Sequence, residues 1–408
     1  MRFTKLFTRT TKENPADEVS INAQLLERGG FVYKNSAGIY TYMPLGFRVL
    51  EKIRGIIREE MNSVGGQEMS MPALIDKKYY EAAGRADIKV GFKTGDDNFI
   101  LGWSHEEIIT AMAGRYVSSY QDLPFSVYQF QTKFRNEARA KSGLLRGREF
   151  LMKDMYSFHT NESDMLDYYE KVRHAYQRIF ERCGLKAYYT LAAGGDFTAS
   201  NTHEFQVLTP VGEDTIFLCP KCSYAVNKEI ADVKMGDPCP KCGDEIVEEK
   251  SIEVGNIFPL GTKYSEALNL HFTDENGEKK FVIMGCYGIG LGRVMGTIVE
   301  IFHDASGITW PESVAPFKAH LIALPGGEAE AEKLYETLHG TRFALHDVLY
   351  DDRKDKSAGE KFADADLIGI SLRLVVSKKT LEKGSVEVKK RGEKEAQLVD
   401  LTSISDMI

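Results

Sequence analysis

Four of the six cysteines fall in two pairs, Cys219-x2-Cys222 and Cys239-x2-Cys242, with sixteen residues between the pairs. Each pair encloses a proline and a lysine, the composition of a tight loop knuckle. A redox pair would instead follow a strand and open a helix. In a chain without secretory features, paired knuckles of this kind favour tetrahedral thiolate ligation of Zn2+ over disulfides. Four thiolates fill the coordination shell, so the metal expected at Cys219, Cys222, Cys239 and Cys242 is structural and not catalytic. Cys183 and Cys286 stand apart and read as small buried residues.

At 408 residues and 43% hydrophobic content, the chain exceeds one ordinary core and implies two or three domains. No N-terminal apolar run has signal-peptide form, and no stretch approaches about 20 apolar residues, which predicts a soluble cytoplasmic protein with no membrane association. A net charge of -8 argues against nonspecific polyanion binding as the main role. Local patches remain open to nucleic acid, and Lys378 to Lys394 is one: Lys378, Lys379, Lys383, Lys389, Lys390, Arg391 and Lys394 outnumber Glu382, Glu387 and Glu393. The same stretch reads equally as a solvated strand pair.

Phe134-Arg135-Asn136-Glu137 is followed by Arg146-Gly147-Arg148-Glu149-Phe150 and Asp154. Two arrangements fit these residues. One is an antiparallel hairpin whose arginines and glutamates pair with each other. The other is a nucleotide site in which Arg135 and Arg146 fork onto phosphate oxygens and Phe150 offers a face to a purine. The Gly-rich run Gly285 to Arg293 lies far downstream. It is not a dinucleotide fingerprint, because arginine stands where the third glycine belongs, and no Gly-Lys-Ser/Thr loop occurs elsewhere. Nor is His105-Glu106 a zinc-protease helix, since Ile109 occupies the second histidine's position.

Periodicity predicts a helix over Gly46 to Asn62, stopped by Gly65-Gly66, then a strand over Glu68 to Leu74. Strands follow over Val127 to Phe134 and Glu149 to Met155. A helix carrying Leu166, Tyr169, Val172, Ala175, Tyr176 and Ile179 runs to about Arg182, where Gly184 ends it. Strands around Ala187 to Leu191 and Glu204 to Leu208 return to the sheet, the knuckle segment Val211 to Lys250 interrupts it, and Tyr264 to Gly290 rejoins it before a helix from Leu291 to His303. Trp310-Pro311 and Ala315-Pro316 mark a boundary. Beyond it Ala319 to Leu324, Ala329 to Leu338, Phe343 to Leu349, Ser357 to Ala365, Leu367 to Ile370 and Leu372 to Val376 alternate between strand-like and helix-like periods, a small α/β domain.

Taken in order, Pro44-Leu45-Gly46-Phe47-Arg48, the Phe134 to Asp154 stretch and Gly285-Cys286-Tyr287-Gly288-Ile289-Gly290-Leu291-Gly292-Arg293 resemble the three signatures of class II aminoacyl-tRNA synthetases. With Ser104-His105-Glu106-Glu107 and Asp351-Asp352-Arg353, the chain resembles the prolyl-tRNA synthetase family over nearly its whole length. The resemblance implies an α/β (α+β) fold, in which an antiparallel sheet flanked by helices carries a zinc-knuckle insertion and a C-terminal α/β anticodon-binding domain. The implied division is 1–212 and 251–312 for the catalytic domain, 213–250 for the knuckle segment and 316–408 for the anticodon-binding domain. It further implies a homodimer built on the first long helix and the strand after it. The implied partners are L-proline and tRNA(Pro), and the implied cofactors are ATP, Mg2+ and the structural Zn2+.

The residue roles are those the resemblance implies. Arg135 bridges the α-phosphate and the proline carboxylate, Glu137 and Phe150 hold adenine, and Arg146 reaches the outer phosphates, with Arg148 a less favoured alternative. Arg293 covers the purine from the opposite face, while Glu204, with Gln206 nearby, meets the Mg2+ bound to ATP. Ser104 and Glu106 hold the amine, although serine replaces the family's threonine and Trp103 its proline. Met152, Asp154, Tyr156, Phe158 and His203 surround the proline ring above Cys286 and Gly288; alternate strand residues of this kind also serve as plain core. Ala193 to Asn201 departs from the family's Gly-Ser-x-Gly-Gly loop. Arg353, Lys361, Phe362 and Asp364 are suited to reading single-stranded bases, and equally to a charged helix cap. Many bacterial relatives carry an editing domain where only sixteen residues separate Cys222 from Cys239, so this chain is expected not to clear alanine from tRNA. Rival readings are an RNA-binding paralogue without catalysis, and a synthetase for threonine, serine or glycine.

Overall fold

The computed structural model describes all residues except 17, 139, 141, 341–346, 407 and 408, and all side chains but those and 339, 340, 405 and 406. By their contacts the residues form two units, 36–39 with 53–297, and 1–35 with 40–52 and 298–408. No helix among the described residues is long and apolar enough to cross a membrane.

A nine-stranded sheet organises the larger unit, in the order Thr202–Leu208, Ala187–Ala192, Ala225–Asn227, Asp214–Leu218, Val247–Gly261, Ile283–Gly290, Glu149–His159, Phe125–Phe134, Gln67–Glu68. The expected hairpin is present, with an unbroken register from Phe125 opposite Phe158 to Phe134 opposite Glu149. On the other side of Glu149–His159, Gly288 faces Asp154 and Gly290 faces Met152. Because a helix begins at Leu291, directly after that strand, Arg293 sits beside the end of the sheet from which Arg135 emerges.

Asn161 caps the helix Glu162–Arg182 by accepting from Asp164 N, and Gly184 follows its end with φ +81°. The buried stripe runs through Met165, Tyr169, Val172, Ala175, Tyr176, Ile179 and Phe180. Leu166 was expected on that stripe and is 46% exposed, because Met165 occupies the four-residue step before Tyr169.

Two expectations need correction here. The strand over Glu68 to Leu74 stops at Glu68, since Pro72 has no N–H to donate and side chains take over the backbone partners: Met71 N donates to Gln129 Oε1 at 2.9 Å, and Gln131 Nε2 donates to Met71 O. The knuckle segment does not interrupt the sheet. Asp214–Leu218, Ala225–Asn227 and the start of Val247–Gly261 continue it, and Phe217, Val226 and Ile246 pack around Cys219 and Cys239.

The second unit carries a five-stranded sheet ordered Val348–Asp351, Ala319–Ala323, Leu372–Val376, Ser385–Lys390, Gln397–Asp400, its first three strands parallel. Of the strand expected over Phe343 to Leu349, residues 343–346 lie outside the described ones. Leu367 to Ile370 forms no separate element: the helix Ala358–Ile368 runs through it and ends on Gly369 at φ +77°. The first residues of the chain gather here, whereas a catalytic segment over 1–212 was expected. Their own chemistry explains it: the Met1 ammonium donates to Val348 O at 2.7 Å, Arg353 stacks 3.9 Å over the Phe3 ring, and Phe31 packs on Trp310.

Candidate active site

The C-terminal ends of Phe125–Phe134 and Ile283–Gly290 open on a cleft of about 900 Å3, a volume that includes open solvent at its mouth. Its walls bring together Arg135, Glu137, Arg146, Phe150 and Arg293. Arg135 donates from Nε to Trp103 O at 3.2 Å and lies over the Phe150 ring at 5.3 Å. Burial first, and then the charge of Arg293, lower the Arg135 guanidinium below its usual value. Arg293 is held by Leu145 O at 2.9 Å and by the Glu253 carboxylate at 2.9 Å. Arg146 spans Glu137 at 2.9 Å and Glu213 at 2.8 Å. Both sequence alternatives for this stretch are therefore present together: it is a hairpin with ion pairs, and it lines a cationic cleft.

Deeper in the cleft are Ser104, Glu106, Met152, Asp154, Tyr156, Cys286 and Gly288. Ser104 Oγ and Glu106 Oε2 are buried and have no hydrogen-bond partner, while Cys286 Sγ donates to Glu106 Oε1 at 3.2 Å. Such orphaned acceptors suit a ligand that donates. Asp154 is held by Lys133 at 2.8 Å and accepts from Tyr156 Oη at 2.8 Å and Gln129 Nε2 at 2.9 Å. Burial pushes the Asp154 carboxyl up, but Lys133 and His105 outweigh it and leave it below the usual carboxylate range. The Lys133 ammonium can only donate, so His105 Nδ1, 2.6 Å away, must accept, and the ring proton sits on Nε2, which donates to Pro72 O at 3.1 Å.

Glu204 and Gln206 lie behind this wall, outside the cleft. Glu204 accepts from Gln206 Nε2 at 2.9 Å, and burial followed by the nearby Glu253 charge pushes its carboxyl up to about 8. Glu253, which sequence reasoning passed over, is the carboxylate of this group that faces the cleft. Arg148 also stands outside, with Nε on Glu137 O at 3.1 Å.

Phe158 and His203, expected around the substrate ring, do not line the cleft. Phe158 shares a sheet face with Met152, Asp154 and Tyr156 but lies past the end of the cleft, stacked on Phe125 at 4.6 Å. His203 stacks on Tyr189 at 4.1 Å, and burial lowers its imidazole to about 4. In their place the cleft uses Phe197, Phe258 and Asn256. Strand alternation could have suggested Phe258 and Asn256; Phe197 comes from the loop that departs from the family, where no period exists to read.

The four cysteine sulfurs lie within 4.8 Å of one another, with Cys219 to Cys242 and Cys222 to Cys239 both 3.5 Å. Zn–S bonds of about 2.3 Å in a tetrahedron need sulfurs roughly 3.8 Å apart, so the quartet fits the ion.

In the other unit, Arg353 is paired with Asp351 at 2.6 Å and Asp364 at 2.8 Å, Lys361 donates to Ala323 O at 2.7 Å, and the Phe362 ring lies under Arg373. All four base-reading candidates have partners within the fold, while Arg353 and Lys361 also line a cleft with Lys354 and Lys356.

Residues 89–302 match the family model for the tRNA synthetase class II core domain (G, H, P, S and T), and 314–408 match that for an anticodon binding domain. A proline–tRNA ligase of Dehalococcoides mccartyi is 32% identical over 563 aligned positions covering 100% of this chain and 98% of the relative. Those of Moorella thermoacetica (33%, covering 100% and 98%) and Geobacillus thermodenitrificans (35%, covering 96% and 96%) are similar in kind. Alignments so much longer than 408 residues mean that these relatives carry stretches this chain lacks. Among solved structures, Cryptosporidium parvum prolyl-tRNA synthetase complexed with L-proline and AMP superposes with a TM-score of 0.76 at 19% identity, covering 95% of this chain and 73% of that one. The Giardia lamblia prolyl-tRNA synthetase in complex with prolyl-adenylate gives 0.77 at 20% identity, covering 94% and 75%. At these identities the likeness is one of fold.

Proposed function

The chain belongs to the class II prolyl-tRNA synthetases, and on that premise we propose that its cleft joins L-proline to ATP and then passes the prolyl group to tRNA(Pro). A proline carboxylate oxygen attacks the α-phosphorus, and pyrophosphate leaves. In the second step a hydroxyl of the terminal adenosine attacks the adenylate carbonyl, and AMP leaves. No covalent enzyme intermediate is needed, so positioning and fixed charge supply the rate.

The observation that carries this reading is the meeting of Arg135, Arg293 and Glu106 in one cleft. Arg135 would hold the α-phosphate and the carboxylate, Glu137, Phe150 and Arg293 would enclose adenine, Arg146 would reach the outer phosphates, and Ser104 and Glu106 would hold the ring amine. Met152, Asp154, Tyr156, Cys286 and Gly288 form the ring pocket. Mg2+ carried in with ATP would offset phosphate charge; Glu253, which lines the cleft, would help to hold it, with Glu204, raised by burial beside Glu253, in support. Zn2+ at the cysteine quartet ties the knuckles together and takes no part in the reaction. We assign 53–212 with 251–297 to activation and 316–408 to anticodon binding, and a cytoplasmic homodimer completes the proposal; the half-exposed Phe47 on the first long helix supports a partner face.

Charging of a tRNA(Pro) transcript with labelled proline tests the reading. Proline should be esterified to that tRNA and not to tRNA(Thr) or tRNA(Gly); charging of either of those with its own amino acid in preference to proline would contradict it.

A further inference from the structure

Against the cleft lies a buried charge cluster of which only Glu106 lines the cleft and enters the proposed chemistry. Arg85, Glu106 and Glu107 are 3%, 2% and 1% exposed. Arg85 Nη1 donates to Glu107 Oε1 at 2.7 Å and stands 3.5 Å from Glu106 Oε2. The rest of the guanidinium touches rings: Trp103 at 4.1 Å, Phe197 at 5.0 Å and Tyr264 at 5.4 Å from their centroids. Its Nε and Nη2 accordingly meet no acceptor among the described residues. The aromatic cage fixes the plane of the cation, so Arg85 has one direction left in which to make a short bond, and it makes that bond to Glu107.

Two carboxylates share one cation within ion-pair distance, while Lys263 acts on all three groups from farther off. The carboxylate of this pair that lines the cleft is Glu106, whose Oε2 accepts no hydrogen bond and has Arg85 only at the longer ion-pair distance of 3.5 Å. Resting on the reading of the cleft as the site of proline activation, we propose that Arg85 is a positioning residue for the substrate amine: clamped by Trp103 and Phe197, it is committed to Glu107 and so leaves Glu106 Oε2 for the ammonium of proline. Trp103 connects this shelf to the phosphate end, because its ring covers Arg85 while its carbonyl oxygen accepts from Arg135 Nε at 3.2 Å. The two stretches where the sequence departs from the family, Trp103 and the loop bearing Phe197, thus meet on one guanidinium. Burial, opposed by Arg85 and reinforced by the Glu106 charge, pushes the Glu107 carboxyl up to about 7.

The test is a double-mutant cycle read as KM for proline and KM for ATP separately. Without Arg85, the two adjacent carboxyls share a proton and Glu106 loses part of its charge. Without Glu107, Arg85 turns to Glu106 and competes with the substrate. Arg85→Met and Glu107→Gln are therefore each expected to raise KM for proline at least tenfold and KM for ATP less than threefold. The double variant Arg85→Met/Glu107→Gln leaves Glu106 as a lone carboxylate and should recover most of the proline affinity. A merely structural role predicts the opposite, a double variant at least as impaired as the worse single one, and that result overturns the proposal. If Arg85→Met does not fold, Arg85→Lys decides: retention of KM for proline within threefold supports the proposal, and equal rises in both KM values overturn it. Wild-type protein that turns over ATP with no dependence on proline would refute the underlying reading of the cleft instead.

Discussion

Arg135 and Arg293 line one cleft from distant stretches of the sequence, and the charge of Arg293 is, after burial, the main influence lowering the Arg135 guanidinium. Holding two like charges in a partly buried cleft is unfavourable until an anion enters between them. Replacing Arg135 with alanine should lower proline-dependent turnover by about 100- to 1,000-fold, the usual loss for one preorganised charge donor. Arg293→Ala should act mainly through KM for ATP. Steady-state kinetics with each substrate varied checks both, and retention of activity within threefold by Arg135→Ala would contradict the account.

His105 couples the cleft to acid stability. Burial first, then the Lys133 charge, lower its imidazole from 6.5 to about 4, against the opposing pull of Asp154 and Glu106. For a base whose native value is depressed, the unfolded chain takes up a proton between pH 6.5 and 4 that the native protein refuses. Stability from this group is therefore complete above pH 6.5, falls as the pH drops towards 4 and then levels, a change of roughly 3 kcal/mol at about 1.4 kcal/mol per unit. Denaturant melts of wild type and His105→Asn across that range should differ in slope by close to one proton. Parallel curves would exclude this assignment.

The knuckle quartet should carry one Zn2+ per chain by elemental analysis. Cys219 and Cys239 are part of a small cluster with Phe217, Val226 and Ile246 at the sheet, so Cys239→Ser or chelation should lower the melting temperature while leaving KM for proline and ATP in the surviving folded protein within threefold. Metal-free protein with unchanged melting would refute the zinc assignment.

Alanine lacks only part of the proline ring, and an apolar pocket rejects such a difference by about 1–3 kcal/mol. With sixteen residues between Cys222 and Cys239, the chain has no inserted domain there to correct the error. Alanine-dependent ATP turnover should be measurable, and purified protein should leave Ala-tRNA(Pro) intact. Rapid hydrolysis of that ester by the pure protein would reverse this conclusion.

What could be read in advance was whatever had a period or a spacing. The hairpin carrying Arg135 and Phe150 alternates cleanly, and the cysteine spacing reported its own geometry. What escaped depended on tertiary contacts that leave no local pattern. Phe158 obeys the same alternation as Met152 and Tyr156, yet only the cleft's finite depth excludes it. The N-terminal residues follow Phe3 and the Met1 ammonium to distant partners, Arg353 and Val348. Arg85 sits in an unremarkable Gly-Arg-Ala loop, and its meaning emerges only when Glu107, Trp103 and Phe197 close around it.

The central claim is that guanidiniums from two remote stretches enclose one activated nucleotide for proline. Exchange of labelled pyrophosphate into ATP, measured with each of the twenty amino acids on wild type and on Arg135→Ala and Arg293→Ala proteins, tests it most directly. Proline should lead with alanine a distant second, and Arg135→Ala should lower the exchange by the same factor of about 100 to 1,000. Exchange led by another amino acid, or undiminished in both variants, would contradict it.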